Sequence, residues 1–229
     1  MAARGEALEV HVDLLSQPCR ALLMFLTHNR IPHTVRTVAL RKGEHKTAEF
    51  TELNPMQKVP VMVDRGFVLT ESDAILKYLA TKYKVAEHWY PRDPERRARV
   101  DEYTAWHHTN IRPHAAKVFL LEVLVPRMSG QPVDQLKLER ALGQLGETLD
   151  KLETMFLKRQ PFLCGDDVTL ADLLAVCEIM QPLGGGRDIL KGRPKLEAWR
   201  SRVKSVLKGS FDDAHRVLFR LRDKFTSKL

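Results

Sequence analysis

The hydrophobic pattern of this chain changes period once, near residue 84, and that change sets most of what the chain can fold into. Before it, short alternating runs are interleaved with helical segments; after it, every patterned segment repeats at helical spacing. Leu8 to Leu15 alternates and reads as a strand. Ser16-Gln17-Pro18 then starts a helix, since serine is a favoured N-cap and proline is tolerated in the first turn. Ala21, Leu22, Phe25 and Leu26 give that helix one buried face, and Asn29-Arg30-Ile31-Pro32 stops it. Thr34 to Leu40 is a β-branched second strand, and Thr47 to Leu53 a short helix or loop closed by Asn54-Pro55. Val59 to Val63 and Phe67 to Thr70 flank Asp64-Arg65-Gly66, a hairpin signal. Glu71 to Lys84 is helical, with Ile75, Leu76 and Leu79 inward.

The order βαβ, helical link, ββα predicts a small mixed sheet with helices on both faces, the order of a thioredoxin-like domain. Lys84 to Pro94 carries two prolines and no period, so it reads as a linker. Pro94 to about Val125 is predicted as one long helix bent at Pro113. Gln135 to Leu157 carries a leucine stripe at 138, 142, 145, 149 and 152, which reads as core. Thr169 to Met180, Pro194 to Leu207 and Phe211 to Phe225 supply three more helices. The expected fold class is therefore α/β plus all-α. Residues 1–83 form the thioredoxin-like domain, 84–93 the linker, and 94–229 a helical-bundle domain.

Hydrophobic residues make up 44% and charged residues 29% of the 229, an ordinary globular balance. No apolar run is long enough to span a bilayer, so no membrane insertion is expected. Met1 to Glu6 lacks the apolar region of a signal peptide. Cys19, Cys164 and Cys177 are few and far apart, which fits a reducing compartment better than a disulfide framework. No Cys/His cluster has zinc spacing. The net charge of +8 is spread along the chain, although Arg216 to Lys228 is denser. Scattered Lys and Arg read as a solvated surface rather than a nucleic-acid site. A mild positive field would attract small anions.

Four places carry chemistry. Ser16 ends a strand and begins a helix, where a thioredoxin-like domain places a redox Cys-x-x-Cys; here the spacing is Ser-x-x-Cys to Cys19. Those two positions cannot form a disulfide, but the Ser16 hydroxyl can either cap the helix or donate to a substrate thiolate. The helix dipole favours the same negative charge by ~0.3–1 kcal/mol. Lowering a thiol pKa by about one to two units takes roughly 1.4–2.7 kcal/mol, within reach of one hydrogen bond plus the dipole. Val59-Pro60 is second: proline at a strand start is either an ordinary trans edge residue or a cis device leaving the Val59 N–H and C=O free for an extended peptide. Third, Glu71-Ser72 opens a helix, either as a plain cap or as a carboxylate site with Glu71 taking an amino group. Fourth, His45, among Lys42 and Lys46, is either a surface histidine or a carboxylate holder.

As a set, Ser16-Gln17-Pro18-Cys19-Arg20, Lys42-Gly43-Glu44-His45, Asn54-Pro55 with Lys58-Val59-Pro60, and Thr70-Glu71-Ser72 resemble the theta class of cytosolic glutathione transferases. The resemblance runs on through Tyr83-Lys84, Trp89-Tyr90-Pro91, Arg97 to Tyr103, Trp106, Leu170 to Leu173 and Gly192 to Leu196, covering nearly the whole chain. It implies that Ser16 stabilises the glutathione thiolate. His45 and Lys58 would hold the glycyl carboxylate side, and Val59 would pair with the cysteinyl backbone, with Pro60 in cis. Glu71 and Ser72 would take the γ-glutamyl end. Thr109, Asn110, Ile111 and Arg112 would line the electrophile pocket. Thr109 and Arg112 would share a helix face, and Arg112 would assist a leaving halide or sulfate.

The resemblance further implies a cytoplasmic homodimer that uses reduced glutathione as co-substrate, with no permanently bound cofactor and no metal. Its substrates would be small electrophiles such as alkyl or aralkyl halides and epoxides, or sulfate esters and peroxides, in detoxification. Thr169-Leu170-Ala171-Asp172 has capping-box spacing, so Asp172 reads as structural. The chain stops at Leu229, where the family often carries a C-terminal lid, which predicts a more open pocket. Two other readings remain: a non-catalytic carrier of hydrophobic ligands on the same fold, and a redox enzyme using Cys19.

Overall fold

The computed structural model describes residues 8–227. The sequence readings of Met1 to Glu6 and of Lys228 lie outside them. The described chain divides into two compact units: one runs up to Val85 and adds Gly209–His215, and the other comprises Ala86–Lys208 and the residues from Arg216 onward.

The first unit holds β1 (Leu8–Val12), α1 (Gln17–His28), β2 (Thr34–Thr37), α2 (Ala48–Leu53), β3 (Val61–Asp64), β4 (Phe67–Leu69) and α3 (Ser72–Lys82). These build the thioredoxin-like order as one four-stranded sheet, β2-β1-β3-β4. β1 runs parallel to β2 and antiparallel to β3, and β3 is antiparallel to β4. The β3–β4 connection is the two-residue hairpin turn, with Arg65 at φ 52° and Gly66 at φ 84°. Positive φ at both positions is what a type I′ turn demands, and glycine meets it without a Cβ penalty. Leu22, Met24, Phe25 and Leu26 of α1 and Ile75, Leu76 and Leu79 of α3 have no solvent exposure and form the core of this unit.

Several boundaries are shorter than the sequence pattern. β1 stops at Val12 rather than Leu15 because Asp13 folds the chain into a turn: its Oδ1 accepts from Leu15 N at 2.8 Å, and its carbonyl from Ser16 N at 2.9 Å. β2 stops at Thr37, and residues 40–46 wind into two 3-10 turns instead of extending the strand. α3 begins at Ser72 rather than Glu71, with Glu71 in the capping position.

The second unit is helical: α4 (Pro94–His107), α5 (Ile111–Phe119), α6 (Val125–Ser129), α7 (Gln135–Lys151), α8 (Leu170–Met180), α9 (Pro194–Leu207) and α10 (Gly209–Thr226), whose first residues belong to the other unit. The predicted single helix from Pro94 to Val125 is corrected. It breaks at residues 108–110, and Pro113 lies in the first turn of the next helix. In a continuous helix the Pro113 ring would strike the Thr109 carbonyl; here the Trp106 carbonyl is taken instead by Asn110 Nδ2 at 2.9 Å and Thr109 N at 3.3 Å. A π-turn at Leu120–Leu124 precedes Pro126, which has no N–H to offer the preceding turn. α7 likewise ends at Lys151 and passes into a π-turn at Leu152–Leu157.

Every residue of α8 is buried, so it is the central helix of this unit. Its first turn carries the capping box formed by Thr169 and Asp172. Asp172 has no exposure, yet it accepts four hydrogen bonds: Leu163 N at 3.0 Å, Thr169 N at 2.8 Å, Thr169 Oγ1 at 3.1 Å and Trp199 Nε1 at 2.8 Å. A buried carboxylate is tolerable only with such saturation. The loop before α8 and the indole of α9 are thereby tied to one side chain.

Candidate functional site

Sheet register brings the chemistry-bearing segments of the first unit together. Val12 at the end of β1 pairs with Thr37 at the end of β2. His11 pairs with Val61 at the start of β3, and Met62 pairs with Leu69 at the end of β4. The chain therefore leaves or enters one edge of the sheet at residues 13–16, 38–46, 58–60 and 70–72. Those stretches contain Ser16, His45, Lys58, Val59, Glu71 and Ser72. An α/β sheet presents its ligand crevice outside the carboxyl ends of its strands.

Ser16 is buried at 8% exposure and precedes α1, yet its side chain makes no capping hydrogen bond. The first turn of α1 carries no acidic residue, so its positive end is not neutralised from within. The turn that delivers Ser16 is held by Arg20, fully buried, whose Nη1 donates to the Leu14 carbonyl at 2.9 Å and to Leu15 at 3.3 Å. Asp13 ties it sideways by accepting from Leu40 N at 2.9 Å, next to the His45 segment. Cys19 has no exposure, and burial pushes its thiol up to about 12, outweighing the opposing hydrogen bonds of the Ser16 side chain and the Asp13 backbone. A buried thiol held that high stays protonated at neutral pH, which weighs against the redox reading of Cys19.

The Val59-Pro60 peptide is cis. Among the described residues, no hydrogen bond occupies the Val59 N–H or C=O. The approach to it is shaped by buried Asn54, which donates from Nδ2 to the Lys58 carbonyl at 2.8 Å and accepts from Met56 N at 3.0 Å. Lys58 itself is exposed.

Glu71 is exposed and adopts φ 63°, ψ 111°. A positive φ is rare for a residue with a Cβ and stores strain of order 1–3 kcal/mol; such strain gathers at ligand sites. The next residue, Ser72, is 3% exposed, and its Oγ has no hydrogen-bond partner at the start of an eleven-residue helix. His45, half-buried in the second 3-10 turn, has an Nδ1 that is buried and likewise without a partner. Buried polar atoms are seldom left unsatisfied, so two of them on segments that leave one sheet edge point to a polar ligand.

In the helical unit, Thr109 and Asn110 lie in the α4–α5 break and Ile111 and Arg112 open α5. Two expectations are corrected here. Thr109 and Arg112 do not share a helix face, because Thr109 is outside the helix. Ile111 has no exposed surface and is a core side chain, so it offers none to a ligand. Arg112 is partly exposed, with its side chain at 32%.

The profile described as "Glutathione S-transferase, N-terminal domain" matches residues 16–82, and that described as "Glutathione S-transferase, C-terminal domain" matches residues 115–205. Bovine glutathione S-transferase theta-1 is 48% identical over 217 residues, which cover 94% of this chain and 90% of the relative. The chain belongs to the theta class of glutathione S-transferases. Its fold superposes on human glutathione-S-transferase T1-1 in the apo form with a TM-score of 0.91 at 45% identity, covering 95% of this chain and 91% of that one. The human theta-class transferase in complex with the glutathione conjugate of 1-menaphthyl sulfate gives a TM-score of 0.91 at 43% identity, covering 97% and 91%. Among the described residues of this theta-class chain, no helix is long and apolar enough to cross a membrane.

Sequence reasoning passed over Asp13, Arg20 and Asn54 as supports of the theta-class site. Arg20 carried one signal, a cation set between Cys19 and the apolar stretch Ala21 to Leu26 of a helix that otherwise buries its face. Asp13 and Asn54 carried none, since their partners are backbone groups brought near only by the fold.

Proposed function

We propose that this protein joins the sulfur of reduced glutathione to small hydrophobic electrophiles, such as alkyl and aralkyl halides, epoxides and sulfate esters. Ser16 donates a hydrogen bond to the glutathione sulfur and holds it as thiolate at the positive end of α1. Val59 pairs its backbone with the cysteinyl residue, Glu71 and Ser72 take the γ-glutamyl amino and carboxylate groups, and His45 and Lys58 hold the glycyl end. Thr109, Asn110 and Arg112 face the electrophile, and Arg112 neutralises the departing anion. Binding and orientation supply the rest of the rate. The working form is a cytoplasmic homodimer in detoxification.

The observation that carries this reading is the gathering of Ser16, Val59 and Ser72 at one sheet edge, where the Ser72 hydroxyl and the Val59 peptide groups are unoccupied. The human relative bound to the conjugate of 1-menaphthyl sulfate supports an aralkyl electrophile. The test is a screen for halide, sulfate and thioether release over these substrate classes with wild type and Ser16→Ala. Turnover lost in the variant supports the assignment, and equal turnover rejects it.

A further inference from the structure

Glu178 stands in the last turn of α8, a helix without an exposed residue, and is itself 1% exposed. Two basic side chains approach Glu178: His107 Nε2 lies 3.7 Å from its Oε1 and Arg112 Nε 3.9 Å. His107 cannot supply a charge. It is fully buried with Nδ1 3.2 Å from the Tyr103 hydroxyl, and burial first, then Arg112 and His108, hold its pKa down at about 3. A carboxylate in a helical core costs several kcal/mol unless a cation answers it, and Arg112 is the cation of this pair. Arg112 gains nothing from its own helix, because it sits in the first turn of α5, where the dipole opposes a positive charge.

We propose that Glu178 is a positioning residue for the conjugation step: it holds Arg112 from the Nε side and leaves the Nη donors for the departing anion. The inference rests on the role given to Arg112 above. In that step the glutathione sulfur forms its bond to the electrophilic carbon. The carbon–leaving-group bond breaks with its electron pair, and the halide or sulfate departs against the guanidinium. No oxidant or reductant enters. Without Glu178 the guanidinium swings among rotamers, and a misplacement of about 1 Å costs on the order of 100-fold in rate.

The test is a double-mutant cycle on kcat with an aralkyl sulfate ester, using Glu178→Gln, Arg112→Ala and the two combined, read beside melting temperature and the thiolate absorbance of bound glutathione. The expected result is a loss of about tenfold or more from Glu178→Gln in the wild-type background and little further loss in the Arg112→Ala background. Thiolate absorbance stays unchanged, and Glu178→Asp recovers part of the rate. Equal losses in both backgrounds, following the melting temperature, overturn the proposal by making Glu178 merely structural. If Arg112→Ala costs turnover and Glu178→Gln does not, only this inference falls; if Arg112→Ala costs nothing, the role of Arg112 falls with it. Should Glu178→Gln not fold, Glu178→Asp is read in the same cycle against the same outcomes.

Discussion

Arg20 and Leu14 are joined by a 2.9 Å hydrogen bond from a guanidinium with no solvent exposure to a backbone carbonyl two residues before Ser16. The bond fastens the first turn of α1 to the loop that ends β1, so the position of the Ser16 hydroxyl is set by a cation in the core. Arg20→Met keeps the volume but orphans the carbonyls of Leu14 and Leu15. A lost hydrogen bond to a charged group costs roughly 1.5–3 kcal/mol, and an unsatisfied buried acceptor adds to it. Urea unfolding should show a loss of about 2–4 kcal/mol, and the thiolate absorbance of bound glutathione should fall with it. An unchanged midpoint would mean that the loop does not depend on Arg20.

Ser72 offers a sharper separation of binding from stability. Its Oγ is buried without a partner in the free protein. Removing an unsatisfied hydroxyl costs the fold little or nothing, whereas removing one that bonds to a ligand carboxylate costs about 1.5–3 kcal/mol of binding. Ser72→Ala is therefore expected to leave the melting temperature within a degree or so and raise the KM for glutathione roughly tenfold or more. A variant that melts early with KM unchanged would make Ser72 a structural residue.

His107 predicts an acid weakness. Burial lowers its folded pKa from 6.5 to about 3, so the unfolded chain binds the proton and the folded one does not. Stability from this group is complete above the unfolded value and is lost as pH falls from about 6.5 toward about 3. Between about pH 7 and about pH 5 the loss is about 2 kcal/mol. His107→Gln, which can still meet the Tyr103 hydroxyl, should flatten that part of the pH dependence in urea unfolding. A variant with the same slope as wild type would assign the acid sensitivity elsewhere.

What was legible in the sequence was local. The Asp64-Arg65-Gly66 turn and the Thr169–Asp172 capping box are decided by neighbouring residues, and both form. The βαβ and hairpin pattern led to a mixed sheet in thioredoxin-like element order, whereas the seat of β1 between β2 and β3 is set by the pairings themselves. The site segments could be named one by one from the sequence, but they converge only through the pairings His11 with Val61 and Met62 with Leu69. The break at residues 108–110 was hidden because periodicity runs through it. It needed the clash of Pro113 and the side chain of Asn110, which takes over the Trp106 carbonyl. Asp13 and Asn54 were invisible as supports because their acceptors and donors are main-chain groups brought near by folding, and Arg20 showed only its charge on an apolar helix, not the carbonyls it holds.

The role of Ser16 is decided by titrating the thiolate absorbance of glutathione bound to wild type and to Ser16→Ala. Hydrogen bonding and the α1 dipole should lower the bound thiol pKa by about one to two units in wild type. The Ser16→Ala complex should return it toward the value of free glutathione, with turnover falling in parallel. A thiolate fraction and turnover that survive the substitution would contradict the assignment of Ser16.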